Sequence, residues 1–273
     1  MHKKEKIIIK EKKRILYFVT DLFGRISMQS TQCGYVAPKS FVMQLRIENA
    51  MFSSYIHHDA HEFYNFMLNA VCDQLEEEAV PRSVILGYDA HRTRRVRELF
   101  EGQLRNEMRC LCCESVTSRI ETFLDLSLEI DSHSSVGGCL DRFTSVETLN
   151  REDKFYCEAC RSLQEAQKRL QIIKLPPVLV LHLKRFKYVE ELQRYAKLSR
   201  RVAFPFELQF GGQEFHLFAV VIHIGRGLSH GHYVTAVKSY DQWLLFDDER
   251  VRIVPPEAVT HSFGVDEVCL STT

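Results

Sequence analysis

A chain of 273 residues, 45% apolar and 26% charged, holds enough material for a sizeable core, either as one large domain with an extended subregion or as two domains. Its 36 basic and 36 acidic residues cancel, so no global field marks a nucleic acid or an anionic membrane as its partner. No apolar run approaches the roughly 20 residues that span a bilayer, and Ile7-Ile8-Ile9, set among charges, makes no signal peptide. The lysine-rich start reads as a solvated segment. Nine cysteines, an odd number, fit a reducing cytoplasmic or nuclear compartment better than a disulfide framework.

In chain order, residues 15–30 and 39–50 show helical apolar spacing, interrupted by Cys33-Gly34 and Pro38. The clearest helix follows, from His57 to Glu78. Ala60, Phe63, Met67, Ala70, Val71 and Leu75 recur at three- and four-residue intervals and make one apolar stripe. Asp59 with Glu62 reads as a cap at its start, and Pro81 as its break. Residues 81–97, with Arg92, Arg94, Arg95 and Arg97, read as a polar connector.

From residue 99 the period shifts towards strands. The run 115–120 and the cleanly alternating run 123–130 are predicted strands, and a helix is predicted after the Gly137-Gly138 break. Beyond residue 170 the pattern is strongly β: Val178–Leu183 as a buried strand, then 217–224, 233–237 and 243–246 as an antiparallel group. Helices first and sheet last predict an α+β fold.

Cys110-Leu111-Cys112-Cys113 and Cys157-Glu158-Ala159-Cys160 supply two Cys-x-x-Cys pairs. Each can hold one metal ion through two thiolates on a tight turn. Two such turns at hairpin tips give a closed tetrahedral site of Cys110, Cys113, Cys157 and Cys160, hence one structural Zn2+. Cys112 is a spare whose spacing is less suited.

A hairpin is predicted over 233–247. With its turn centred on Tyr240-Asp241, Lys238 faces Trp243 and Val234 faces Asp247. His232 is then the diagonal neighbour of Asp247 on one sheet face, with backbones roughly 7–8 Å apart. An imidazole oriented by a carboxylate in this way is a general base for a thiol. In the same register Asp248 points to the opposite face, which leaves it the alternate to Asp247.

Five stretches together carry a resemblance: His57-His58-Asp59-Ala60-His61-Glu62-Phe63, the two cysteine pairs, Leu175 to Tyr188, Gly231-His232-Tyr233 and Phe246-Asp247-Asp248. In this order, and over roughly residues 40 to 255, the chain resembles the ubiquitin-specific protease family of deubiquitinases. Within it, the match is to the short subgroup that depends on WD-repeat activator proteins. The resemblance implies a papain-like fold: a helical thumb over 1–98, zinc-tipped β-fingers over 99–170 and a β-rich palm over 171–273. It implies ubiquitin and ubiquitinated proteins as partners. It also implies cleavage of the isopeptide bond after the ubiquitin C-terminal glycine, with His232 as base and then acid and Asp247 as orienter. Asp59 and Glu62 match positions that engage arginines of the ubiquitin tail, a charge-assisted pairing. Gly225 to Gly231 matches a mobile loop beside the catalytic histidine. Lys184 and Arg185 read as solvated or structural charges.

The sequence departs from the family in three places. The glycine- and asparagine-rich box with the nucleophilic cysteine has no counterpart upstream of Asp59, and Cys33 and Cys72 are poor substitutes. His58 stands where the family has glutamine. The last core strand has no counterpart near Val268. With losses at both ends the thumb is expected to be incomplete, and without the nucleophile the chain as given is expected to be inactive. The alternative is a catalytically dead protein that binds ubiquitin or competes for the activators.

Overall fold

The computed structural model describes residues 14–28, 36–54, 57–86, 91–130, 135–190, 193–225, 227 and 230–260; of these, 78–86, 91–95 and 189 are described by backbone alone. Cys33 and the segment around Val268 lie outside the described residues. The chain divides into two compact units, Met1–Arg94 and Arg95–Thr273.

In the first unit, α1 (Ile15–Met28), α2 (Lys39–Glu48) and a 3-10 turn (Ala50–Ser53) precede the long α3 (Ala60–Leu86). Ile15, Leu45 and Phe52 are buried, with Phe41, Phe63, Phe66, Met67 and Ala70 packed on them. Phe52 meets Phe63 edge-on, the arrangement that the ring quadrupoles favour, with centroids 5.7 Å apart. The α3 stripe therefore does face a core. Leu68 and Cys72, one turn apart, are buried as well and widen that face beyond the predicted stripe. Cys72 is a packing residue here.

Two expectations fail in this stretch. The helix does not break at Pro81 but continues to Leu86, and together with α4 (His91–Phe100) it takes up most of the predicted connector. Proline imposes a helical φ, so inside a helix it removes one hydrogen bond and crowds one turn without forcing the chain out of the α region. Arginine is a good helix former, so a run rich in it does not by itself mark a loop.

The second unit opens with β1 (Gly102–Cys110), β2 (Val116–Phe123) and β3 (Leu126–Leu128), then α5 (Val136–Thr144) and β4 (Val146–Leu149). Next come β5 (Phe155–Cys157), β6 (Ser162–Gln164) and β7 (Ala166–Lys174). Antiparallel pairing gives the sheet order β2-β1-β7-β4, with β5-β6 a separate short hairpin. The alternating run 123–130 serves two sheets. It bends at Leu124-Asp125, and Leu126–Leu128 pairs in parallel with β8 (Leu181–Leu183). The strand expected over 178–183 is thus short and parallel, outside the antiparallel group. The two glycines expected before a helix lie inside the first turn of α5, where Ser135 Oγ accepts from the Gly138 amide at 3.2 Å. A side-chain cap satisfies one of the first-turn amides and offsets the poor propensity of the glycines.

The chain continues through β9 (Phe186–Val189), β10 (Arg194–Lys197), β11 (Glu207–Phe210) and β12 (Gln213–His216). It closes with β13 (Ala219–Ile224), β14 (His232–Ser239), β15 (Gln242–Asp247), β16 (Arg250–Val254) and α6 (Pro256–Thr260). The last four strands form one antiparallel sheet in sequence order. Leu126, Leu128, Ile130, Val136, Cys139, Leu140 and Val202 form the main core, with Trp243, Ala236 and Val259 a second cluster under the last sheet. Leu128 is fully buried, so Leu128→Ala should cost about 2–5 kcal/mol in a denaturant titration, whereas Val251→Ala, on an exposed strand, should stay within about 0.5 kcal/mol.

Candidate active site and metal centre

The pairing of β14 with β15 runs Ser239↔Gln242, Lys238↔Trp243 and on to Thr235↔Phe246, across a two-residue turn at Tyr240-Asp241. Tyr240 takes a φ of +53°, the left-handed conformation that such a tight turn requires. This register brings His232 and Asp247 together on the last sheet, with His232 Nε2 2.6 Å from Asp247 Oδ1. Both side chains keep solvent access, with relative exposures of 42% and 37%. With Nε2–H donating to the carboxylate, Nδ1 is the nitrogen left to accept a proton. The Asp247 hydrogen bond raises His232 above the ordinary histidine value; burial, the next largest effect, opposes it, and the smaller charge effects of Asp248 and Asp247 add to the rise.

Asp248 departs from its expected place. Simple alternation puts it on the opposite face, but its φ of +51° ends the strand and turns the carboxylate back. The acid groups of Asp247 and Asp248 and the His232 ring lie within 4.8 Å of one another. Asp247 therefore supplies the hydrogen bond and Asp248 a second negative charge.

At the far end of β1 the chain makes the turn that carries Cys113, and at the end of β5 the turn that carries Cys160. The thiols of Cys110, Cys113, Cys157 and Cys160 gather within 4.8 Å of one another, and Cys112 is not among them. Cys113 Sγ and Cys157 Sγ are 3.6 Å apart. Zn–S bonds of about 2.3 Å in a tetrahedron separate sulfurs by roughly 3.8 Å, so the spacing fits a metal ion. Cys110 and Cys157 are buried, so such a site is closed on its inner side. Sequence reasoning missed Ser115, whose Oγ lies 3.1 Å from Cys113 Sγ and 3.5 Å from Cys157 Sγ. Its hydroxyl is the main reason that the Cys157 thiol is lowered to about 6, which makes it a ready thiolate ligand. A serine two residues after a ligand was the only signal.

In the first unit, Asp59 Oδ1 accepts from the amides of His61 (2.8 Å) and Glu62 (3.1 Å), the second and third residues of α3. Asp59 is a true N-cap. Glu62 is exposed in the first turn, where the helix dipole favours negative charge. His58, at the position of the family's glutamine, packs its ring on Phe52 at 5.1 Å, and its buried Nε2 has no hydrogen-bond partner among the described residues. Of the two charges that read as solvated or structural, Lys184 pairs with Glu129 at 2.7 Å, and Arg185 donates to the carbonyls of Leu198 and Arg200.

Residues 1–267 match the family model described as Ubiquitin carboxyl-terminal hydrolase. The chain belongs to that family. It is 47% identical over 286 residues to Ubiquitin carboxyl-terminal hydrolase 4 of Arabidopsis thaliana, covering 95% of this chain and 78% of the relative. It is 43% identical over 278 residues to Ubiquitin carboxyl-terminal hydrolase 12 of Salmo salar, covering 94% and 75%. Its fold matches the SAGA DUB module of Ubp8, Sgf11, Sus1 and Sgf73 bound to monoubiquitin, with a TM-score of 0.67 and 31% identity over 82% of this chain and 50% of the solved chain. The same module bound to ubiquitin aldehyde matches with a TM-score of 0.65 and 28% identity, over 82% of this chain and 51% of the solved chain. The chain thus spans about half the length of these solved chains. The α+β ubiquitin-specific protease fold is that of this family. No described helix is long and apolar enough to cross a membrane.

The hydrogen bond in the site sets a testable order. The His232 imidazole should titrate above about 6.5, the ordinary histidine value. Asp247→Ala should lower the midpoint more than Asp248→Ala, as followed by NMR of the ring protons. The raised value also means that the pair stabilises the fold fully below about 6.5 and loses this contribution as pH rises through the folded-state midpoint.

Proposed function

We propose that this chain is the ubiquitin-handling part of a ubiquitin-specific cysteine protease, with thumb, fingers and palm over residues 1–98, 99–170 and 171–273. The observation that carries the reading is the 2.6 Å His232–Asp247 bond, which leaves Nδ1 of an oriented imidazole open. In the reaction of the full enzyme, Nδ1 takes the proton of a cysteine thiol. The thiolate attacks the carbonyl carbon of the ubiquitin C-terminal glycine, and the same nitrogen returns the proton to the departing lysine amine. Water then hydrolyses the thioester, with His232 again as base. Asp247 stabilises the imidazolium throughout, and Asp248 adds its charge from beyond the strand.

Cys72, the described thiol of the first unit, is buried in the packing of α3. These 273 residues, taken alone, are therefore proposed to bind ubiquitin without turning it over. Titration with fluorescent ubiquitin should give micromolar or tighter binding, and ubiquitin with a C-terminal electrophile should leave the chain unlabelled. Covalent labelling at Cys33 would contradict the lack of turnover, and a flat titration would sink the ubiquitin reading itself. WD-repeat proteins remain the proposed activators, to be sought by co-purification.

Asp59 and Glu62 are proposed to hold arginines of the ubiquitin tail. Asparagine caps a helix about as well as aspartate, so Asp59→Asn should keep the unfolding midpoint and weaken ubiquitin binding. Asp59→Ala should lose about 0.5–2 kcal/mol of stability as well. Equal binding by Asp59→Asn and the unaltered chain would leave only the cap.

Cys110, Cys113, Cys157 and Cys160 are proposed as the ligands of one structural zinc, which when bound fixes two turns through four thiolates. Metal analysis of the purified chain should give one zinc per molecule, and Cys157→Ser should lose it and lower the melting temperature. Full zinc content in that variant would remove Cys157 from the site.

A further inference from the structure

The connection from β13 to β14 delivers the chain to His232, and both of its described edges rest on one imidazole. That imidazole belongs to His223, and Lys197 at the end of β10 holds it. The Lys197 ammonium donates to His223 Nδ1 at 2.9 Å, to the His223 carbonyl at 2.8 Å and to the Gly225 carbonyl at 2.8 Å. An ammonium has three donors, and here each has an acceptor. A nitrogen that accepts from a cation is unprotonated, so His223 is neutral with its proton on Nε2.

The ring is also boxed in. Phe186, the partner of Lys197 across the β9–β10 hairpin, meets it edge-on at 5.3 Å, and Tyr233 lies 4.9 Å away. Gly231 lies directly against the ring, since a Cβ there would fall 2.0 Å from His223 Nε2. Gly225 has a φ of +134°, and a Cβ on it would fall 2.9 Å from the His230 carbonyl oxygen. Only glycine fits at either edge. The last register pairs of the sheet are His223↔Tyr233 and Ile224↔His232, so a displacement at Gly231 passes straight into His232.

The hairpin that presents Lys197 is itself anchored. Arg185 donates to the carbonyls of Leu198 and Arg200 at 3.1 and 2.8 Å, and the Leu198 amide donates back to the Arg185 carbonyl at 2.6 Å. Burial, and then the Arg185 charge, hold the Lys197 ammonium below its ordinary value. An exposed lysine would avoid that penalty, so its placement here follows from the three acceptors.

We propose that Lys197 is a positioning residue: through His223 it fixes Gly225 and Gly231, and so sets where His232 stands at the head of β14. The effect on binding rests on the ubiquitin reading given above, whereas the clamp itself does not.

Hydrogen exchange on the whole chain tests it. Lys197→Met keeps most of the apolar stem and removes the donors. It should speed exchange at Gly225 and over residues 230–234 by about tenfold or more, and leave β15, β16 and the cysteine-bearing sheet unchanged. Lys197→Gln, which keeps a donor, should change less, and the exposed Lys238→Met not at all. In parallel, Lys197→Met should weaken binding of intact ubiquitin and spare binding of ubiquitin that lacks its C-terminal tail. Unchanged exchange over 230–234, or equal acceleration across the whole second unit, would overturn the clamp. Equal weakening of both forms of ubiquitin would overturn its role at His232. If the unaltered chain binds neither form, the ubiquitin reading fails and the exchange result alone decides the clamp.

Discussion

The antiparallel register of β14 on β15 is the constraint on which the candidate site depends. A two-residue turn at Tyr240-Asp241 fixes it, and a slip of one residue would send His232 and Asp247 to opposite faces. Flanking strands guard against such a slip. β13 pairs with β14 from Ala219↔Val237 to Ile224↔His232, and β16 pairs with β15 up to Asp247↔Arg250. Trp243 is buried between them with Ala236, on Val259 of α6. The imidazole and its carboxylate thus sit at the end of a four-stranded sheet whose core holds them in register. Strands held in register suit the proposed role of His232 as the base for a thiol, which demands close positioning.

A different force is needed where the sheet β2-β1-β7-β4 extends from the main core. β2 is exposed along most of its length, and Val116, Ile120, Val146 and Leu163 all face solvent. So little apolar burial does not hold two hairpin tips together. Four thiols gathered at those tips supply the missing constraint once a metal binds, because a metal site concentrates in one place the stabilisation that a core spreads over many residues. Ser115 tunes this cluster from within the turn.

Much of this was legible from local pattern. The α3 stripe, the cysteine spacing and the alternation of 233–247 are short-range signals, and each element formed where its period or turn demanded. Expectations failed where a local rule met a competing one. Pro81 stays helical because its φ suits a helix, and Gly137-Gly138 enter α5 because Ser135 caps it. The run 123–130 alternates throughout yet bends at Leu124-Asp125 to join a second sheet. Asp248 turned back through a positive φ that strand alternation does not foresee. The Lys197–His223 contact was beyond reach of any local rule, since it joins residues 26 positions apart on different hairpins.

On the proposed reading, the tail of ubiquitin ends at the imidazole of His232. NMR of the His232 ring protons during titration with ubiquitin tests it directly. Ubiquitin with an intact C-terminal tail should shift those resonances, and ubiquitin lacking the tail should bind without shifting them. Saturated binding of intact ubiquitin with the His232 resonances unmoved would contradict it.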